Sequence, residues 1–450
     1  MRFSELDGAS VGVWGAGREI RSFAEQLRRR LPAARITVAA FDETPAAEVG
    51  ATLMAPGARI VTAAEAAGAF AGCDVLVRSP GVSIHRPELR AVRASGVPVT
   101  TATALWLAER GGRGVIAVTG TKGKSTTAAL VYHLARAAGQ TVALAGNIGV
   151  PALDLLDHEA AQVSVLELSS YQIADMEVGA EVALFTNLFR EHIDWHGSEQ
   201  AYRAEKLRLL ELPGVRVGVI NARDERMMAA RPGIEMSYYG RPEGWDVTAE
   251  GIALDGELRL ASAELPLPGV HNALNLCGAL AALEAFGVAL RALPEALHGF
   301  RPLAHRLETV GEREGVLWVD DSISTTPESA IAALASFPGR EIVLIGGGQD
   351  RGQDYSELAR ALAASGATVI GVPSTGPRLI GAARAAGVPG ARAMEAADMR
   401  EAVTLARALA RPGAAVLLSP AAPSYDNYRD FEERGERFRA LAAPLEPHRA

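Results

Sequence analysis

The sequence predicts an α/β protein made of three open, mostly parallel sheets. Two patterns carry that expectation. Short β-branched runs alternate with Ala-, Leu- and Arg-rich helical stretches along the chain, and the strand-like runs end repeatedly in glycine or in Ser/Pro/Gly turns. Length adds a third clue: 450 residues suit two to four domains at roughly 100–200 residues each. The expected divisions are a Rossmann-like N-terminal domain over 1–102, a central P-loop-type ATPase domain over 103–302 and a Rossmann-like C-terminal domain over 303–450.

The first unit opens with SVGVWGAG (10–17), a strand ending in glycines. REIRSFAEQLRRRLP follows as a helix and ARITVAAFDE as a second strand, and CDVLVRSPGVS (73–83) repeats the strand-to-glycine turn. The second unit begins at RGVIAVTG (113–120), a buried strand running into a glycine turn. The next helix, KSTTAALVYHLARAAG, stops at Gly139. Further strands are QVSVLELSS (162–170), EVALFTNL (181–188) and VRVGVINA (215–222), and 264–287 reads as a Pro/Gly turn followed by a helix. The third unit carries strands at 315–322, 341–348, 367–372 and 414–420. In open sheets of this kind ligands sit at the carboxyl ends of the strands.

Composition narrows the classes. A net charge of −8 without a basic run argues against a nucleic-acid partner. Only two cysteines, Cys73 and Cys277, occur, far apart in sequence; they argue against a disulfide framework or a thiolate zinc site and fit a reducing, cytoplasmic setting. The N-terminal stretch has no apolar signal region and no segment approaches ~20 apolar residues, so no membrane partner is expected.

VTGTKGKSTT (118–127) is the strongest local signal. Gly120 and Gly123 let backbone N–H groups approach phosphate oxygens, and the helix that follows favours an anion at its N-terminus. Lys124 can neutralise phosphate and Ser125 can ligate Mg²⁺. The loop is shorter than G-x-x-x-x-G-K, because Val118 stands where the first glycine belongs. Glu167, at the end of a buried strand, is a candidate Mg²⁺ ligand. TNLFREHIDWH (186–196) adds Asn187, His192, Asp194 and His196 near another strand end. Read from the residues alone, Lys206 is a surface lysine on a helix. In the third unit Arg306 can meet phosphate bidentately and Asp321 a ribose hydroxyl or metal. Gly15-Ala16-Gly17 is a partial dinucleotide fingerprint, with Ile20 where its third glycine would fall, and Asp42 ends the next strand, where an acid can bind ribose.

Together these motifs resemble the Mur ligases of peptidoglycan synthesis. The likeness runs through GTKGKST (120–126), GNIG (146–149), LELSSYQ (166–172), TNL…HID (186–194), the Tyr202…Lys206 helix, GVHNALN (269–275), HRLE (305–308), DDS (320–322), GGGQDRG (346–352) and LLSPAAPSYDNYRDFEERG (417–435). It implies an ATP-dependent ligase that adds glutamate to UDP-N-acetylmuramoyl-L-alanine through an acyl phosphate, with two Mg²⁺ ions. It also implies the associated roles in cell wall biogenesis, cell shape and cell division, and a monomer. By resemblance, Gly120, Thr121, Lys122, Gly123, Lys124, Ser125 and Thr126 would bind ATP, with Asn275 at the adenine and Arg306 and Asp321 completing its site. Ser125, Glu167, His192 and a carbamylated Lys206 would hold metal, and Lys124, Glu167, His192 and Lys206 would be catalytic. Gly15, Ala16, Gly17, Arg18, Asp42, Gly81 and Asn147 would face the UDP-sugar, and Thr325, Ser424 and Phe431 the incoming glutamate.

Three departures bear on the substrate. After the DS dipeptide, Lys-Ala-Thr-Asn of the D-glutamate-adding enzymes is replaced by Ile323-Ser324-Thr325-Thr326. Arg190-Glu191 precedes His192, and Arg18-Glu19-Ile20-Arg21 stands in place of a small Thr/Gly segment. The loss of that lysine favours the branch that adds L-glutamate. The same reaction with D-glutamate is the alternative, followed by another Mur or folylpolyglutamate-type ligase. A dehydrogenase or a non-catalytic nucleotide-binding module is disfavoured by the broken fingerprint at 15–20.

Overall fold

The computed structural model describes every residue except 42–57, 149, 159–160, 190–192, 230–231, 268, 291, 302–303, 351 and 443–450, and leaves the side chains of 193, 194 and 328 undescribed. The chain forms two compact units, one of residues 1–266 with 271–300, the other of 267–270 with 301–450.

In the first unit, β1 (Ser10–Trp14), β2 (Arg35–Phe41), β3 (Arg59–Thr62), β4 (Val75–Arg78) and β5 (Val99–Thr100) form a parallel sheet in the order β3-β2-β1-β4-β5. Strand order therefore reverses between β1 and β4, the position where open α/β sheets receive ligands. Helix α1 (Arg18–Arg30) starts directly after β1. It ends ahead of Pro32, which cannot continue a helix.

The second sheet is wholly parallel, in the order β11-β10-β9-β6-β8-β7. Its strands are β6 (Val115–Thr119), β7 (Val142–Gly146), β8 (Val163–Glu167), β9 (Val182–Phe185), β10 (Val217–Asn221) and β11 (Glu235–Tyr239). Five residues of β6 are all buried, as expected of a central parallel strand covered on both faces. Helices α2 (Lys124–Ala137), α3 (Ser170–Ile173), α4 (Glu199–Leu207) and α5 (Val270–Phe286) carry the connections that matter for the site. Three short antiparallel strands, β12 (Trp245–Val247), β13 (Gly251–Leu254) and β14 (Glu257–Ala261), make an appended sheet that the sequence reading missed.

The first two sheets share a core. Phe3, Val13 and Phe23 belong to the same buried cluster as Leu105, Trp106, Leu166, Phe185 and Ile220. Leu130 and Leu134 of α2 and Cys277 and Leu280 of α5 belong to a second buried cluster, which also holds Ile116, Val118 and Val182 of the second sheet. Among the described residues, no helix is long and apolar enough to cross a membrane.

The second unit has the sheet order β15-β16-β20-β17-β18-β19, with β15 (Glu308–Arg313), β16 (Val316–Asp320), β17 (Ile342–Gly346), β18 (Thr368–Gly371), β19 (Ala393–Glu395) and β20 (Ala415–Leu418). Only the β15 pairing is antiparallel. Helices α6 (Pro327–Leu334) and α7 (Phe431–Ala442) follow. Arg434 of α7 is buried, donating through Nε to Ser322 Oγ and through its other nitrogens to the Ser322 and Ala422 carbonyls. Burial lowers its pKa to about 10. Its neighbour Gly435 lets α7 lie against His305, for a Cβ there would sit 2.0 Å from His305 Nδ1. Gly435→Ala should therefore destabilise the second unit by roughly 1–3 kcal/mol, as overpacking does. Chemical denaturation checks this, and unchanged stability would show that α7 is free to shift.

Candidate functional site

The site is built around β6. Its two neighbours in the sheet are β8 and β9, so the loops leaving all three strands emerge side by side. Gly120 has φ +138°, and a Cβ there would lie 2.0 Å from Thr186 Oγ1. Gly123 has φ +82°, and its Cβ would lie 2.4 Å from Asn275 Oδ1. Both positions thus require glycine on conformational and steric grounds. The loop after β9 fastens the phosphate loop: Thr121 N–H donates to the Asn187 carbonyl at 2.8 Å, and Lys122 N–H to Asn187 Oδ1 at 2.8 Å. Thr186 Oγ1 and Asn187 Nδ2 both donate to the Lys122 carbonyl. Gly123 is the N-cap of α2 and supplies no capping side chain, so that helix terminus is open to an anion. Lys124 Nζ folds back onto the Thr121 carbonyl at 2.7 Å, while Ser125 and Thr126 are buried.

Glu167 ends β8, paired with Val118 on one side and Gly146 on the other. It is buried. Asn147 Nδ2 donates to its Oε1 at 2.8 Å, and its Oε2 has no hydrogen-bond partner among the described residues. A buried carboxylate oxygen left over in this way, beside a phosphate-type loop, suits a divalent cation.

Lys206 is 2% exposed, which corrects its reading as a surface lysine. Its position on the inward face of α4 brings Nζ to 3.4 Å from Thr119 Oγ1 and over the Tyr202 ring. Tyr202, one turn earlier, places its hydroxyl 2.8 Å from Thr121 Oγ1. Sequence reasoning gave Tyr202 no contact of its own. The signal was there, since residues four apart on a helix share a face. His192 and Asp42 lie outside the described residues, as does the side chain of Asp194. Among the described residues no three His, Cys, Asp or Glu side chains converge as a metal cluster. His196 is buried, lies 2.9 Å from Ser170 Oγ through Nε2, and packs against Trp195 and Tyr202.

A cleft of about 220 Å³ opens at the switch point of the first sheet. Arg18 and Gly81 line it from the first sheet, Asn147 and Tyr171 from the second. Gly15, Ala16 and Gly17 are not among its lining residues. They belong to the turn behind it, where a Cβ on Gly15 would meet Ser79 at 2.7 Å and one on Gly17 would meet it at 3.1 Å. Arg78 fixes the cleft's shape. Fully buried, it pairs with Asp175, donates to the Ser79, Pro80 and Val82 carbonyls, and reaches the Tyr171 carbonyl at 2.8 Å.

In the second unit, two adjacent aspartates hold the His305-Arg306-Leu307 turn, in which His305 and Leu307 have φ of +63° and +45°. Asp320 Oδ2 lies 2.8 Å from His305 Nδ1, and Asp321 Oδ1 accepts from Leu307 N–H. Arg306, in the middle of that turn, is half-buried. Asp321 Oδ2 also accepts from Ser419 Oγ at 2.8 Å. Thr325 is half-buried, Ser424 is buried, and Phe431 meets the His305 ring edge-on. Ile323 is half-buried and donates its N–H to the His305 carbonyl, and Thr326 caps α6. The segment 323–326 carries no charge.

Burial pushes the Asp321 carboxyl up to about 6. The folded chain keeps that proton to a higher pH than the unfolded chain, which releases it near 3.8. This group therefore makes stability fall as pH rises from about 4 to 6, and adds no further change above that. Asp321→Asn should remove the penalty, gaining about 1–3 kcal/mol at pH 8 and little at pH 4. Thermal unfolding at the two pH values checks it. Equal destabilisation at both would mean that the contacts to Leu307 and Ser419 outweigh the charge.

Comparison with known proteins adds two family matches. Residues 118–283 match the Mur ligase middle domain, and residues 305–422 match the Mur ligase glutamate ligase domain. The chain is 41% identical over 455 residues to the UDP-N-acetylmuramoyl-L-alanine–L-glutamate ligase of Xanthomonas axonopodis pv. citri, covering 98% of this chain and 97% of that one. It is 42% identical over 447 residues to the protein of the same name from Salinispora tropica, covering 97% and 98%. In fold it is similar to the UDP-N-acetylmuramate-alanine ligase of Thermotoga maritima (TM-score 0.61, 21% identity, 96% of this chain and 98% of that one). The MurF ligase of the same organism, solved with ADP, gives a TM-score of 0.58 at 16% identity, covering 98% and 96%.

Proposed function

The chain belongs to the Mur ligase family, and from that premise we propose that it joins L-glutamate to UDP-N-acetylmuramoyl-L-alanine at the expense of ATP. One observation carries the reading: Asn147 both lines the cleft and donates to Glu167, the carboxylate that ends the strand beside the phosphate-loop strand β6. A nucleotide-sugar lying in the cleft would present its carboxylate to the γ-phosphate of ATP held at 120–126. Arg18, Gly81 and Asn147 would hold the sugar nucleotide, with Gly15, Ala16, Gly17 and Asp42 shaping its site. Asn275, Arg306 and Asp321 are assigned to ATP, and Thr325, Ser424 and Phe431 to glutamate. The divisions 1–102, 103–302 and 303–450 would correspond to these three ligands.

The chemistry follows from charge. A carboxylate is a poor acyl donor until its oxygen takes the γ-phosphoryl group and ADP leaves. Loop N–H groups, the α2 N-terminus and Lys124 offset the negative charge that gathers there. The glutamate amine then attacks the acyl carbon, and phosphate departs. Ser125, Glu167, His192 and Lys206 would hold two Mg²⁺ ions, which supply charge neutralisation to phosphoryl transfer. Burying a lysine ammonium is costly. Carbamylation of Lys206 would turn that amine into an oxygen ligand facing the same charge.

L-glutamate is favoured because Ile323 stands where the D-glutamate-adding enzymes carry a lysine that pairs with a carboxylate of D-glutamate, and the buried Arg434 nearby, engaged with Ser322 and Ala422, does not replace it. The relatives named above carry L-glutamate in their names. The setting we infer is the cytoplasm, with the enzyme a monomer feeding cell-wall synthesis, cell shape and division.

Phosphate release should require ATP, the muramoyl nucleotide and L-glutamate together, with D-glutamate lower in kcat/KM by roughly 10-fold or more. A clear preference for D-glutamate would overturn the assignment to the L branch. Lys124→Ala should lower kcat by about 10²–10³-fold, and near-normal turnover would remove the phosphate loop from the reaction. Lys206→Ala should fail similarly and recover in part with added formate or acetate. Normal activity without either anion would rule out a carbamate.

A further inference from the structure

Glu19 is a carboxylate in the cleft for which the reaction above has no role. It stands in the first turn of α1 and lines the cleft beside Arg18. Its Oε1 accepts from Gln172 Nε2, which also donates to Thr103 Oγ1 at 3.2 Å. Gln172 is itself fixed, because its Oε1 takes the Ser169 N–H at 2.8 Å and the Ser169 hydroxyl at 2.9 Å in the capping box of α3. Glu19 is thus held from the second sheet across the cleft. Its Oε2 is nearly cut off from solvent and has no hydrogen-bond partner among the described residues. Burial raises the pKa of this carboxyl, against the opposing effect of hydrogen bonding to Gln172 and Thr103. A buried acceptor without a donor is costly, and a ligand that supplies the donor recovers the loss.

The donor is not the diphosphate. Two anions brought together in a desolvated site repel, and a phosphate has better partners in Arg18 and the α1 N-terminus. What complements Glu19 is an N–H or O–H group next to a diphosphate. The sugar of a UDP-N-acetylmuramoyl substrate carries both, as an acetamido N–H and ring hydroxyls.

We propose that Glu19 is a specificity residue that accepts, through Oε2, a hydrogen bond from the acetamido N–H or a ring hydroxyl of the substrate's sugar. The proposal rests on the muramoyl-nucleotide reading of the cleft. Gln172 is the positioning residue that holds the carboxylate in the cleft wall. Selection of the sugar then comes from a carboxylate in α1, separate from the groups that hold the nucleotide.

Calorimetric titration of the full chain with UDP and with UDP-N-acetylmuramoyl-L-alanine separates the possibilities. Glu19→Ala should weaken the muramoyl nucleotide by roughly 10- to 100-fold, the range for a lost hydrogen bond to a charged group, and leave UDP unchanged. Glu19→Gln has one acceptor oxygen for two donors, Gln172 and the sugar, and should recover only part of the loss. In turnover, KM for the nucleotide should rise while KM for ATP stays. Equal weakening of both ligands would mean that Glu19 only braces α1 against α3, and no weakening would mean that it meets nothing; either overturns the proposal. Failure of the underlying reading looks different. Wild-type protein would then bind no muramoyl nucleotide, and the Glu19 assignment would fall with it.

Discussion

The position of β6 between β8 and β9 is the constraint on which the phosphate loop depends. Parallel pairing sends three strand ends to the same edge, so the loop at 120–126, Glu167 and the pair Thr186-Asn187 become neighbours without further design. The close fit at Gly120 and Gly123 follows from this crowding. Thr186 and Asn275 occupy the space that side chains there would need. Hydrogen bonds exchanged with Asn187 and Thr186 engage the Thr121 and Lys122 N–H groups and fix the loop's backbone, which holds the α2 N-terminus preorganised for an anion.

A second constraint ties that edge to the first sheet. Buried Arg78 holds the turn at 79–82 through three carbonyls and reaches across to Tyr171, with Asp175 as its counter-charge. A buried ion pair of this kind contributes little net stability, because desolvation offsets most of the attraction. Its value is placement. Both walls of the cleft hang on one guanidinium, and the shared core from Phe3 to Ile220 keeps the two sheets in register around it. The aromatic stack of Tyr171 on Trp195, followed by His196 and Tyr202, carries the same order from the cleft wall to the loop.

In the second unit, neighbouring carboxylates are driven apart in character. Burial would raise Asp320, but hydrogen bonds from His305 and Arg439 pull it below the ordinary range. Asp321 has only hydroxyls, an N–H and the more distant Arg306 charge to set against burial, and ends at about 6. Environment, not residue type, separates a structural anion from a carboxyl poised near neutrality.

Sequence alone determined the α/β class, the strand–loop–helix at 113–139 and the carboxyl-end location of Glu167. These rest on local patterns: buried β-branched runs, glycines where the backbone must turn, a helix start after them. The same locality explains what it missed. The short antiparallel strands β12–β14 and the β15 edge pairing lack a strong periodic signal, and their register is set by partners elsewhere in the chain. Lys206 read as a surface side chain because its charge outweighed the one local hint, the aromatic Tyr202 four residues earlier on the same face. Only tertiary packing buries it against Thr119 and Tyr202. Glu19 was visible only as part of a segment standing in place of a small Thr/Gly one. Its isolation from solvent and its bond to Gln172 come from bringing α1 and α3 together across the cleft, residues 153 positions apart. Spacing along a chain can show which groups are available, whereas the burial and pairing that decide their charge depend on which distant elements the fold packs around them.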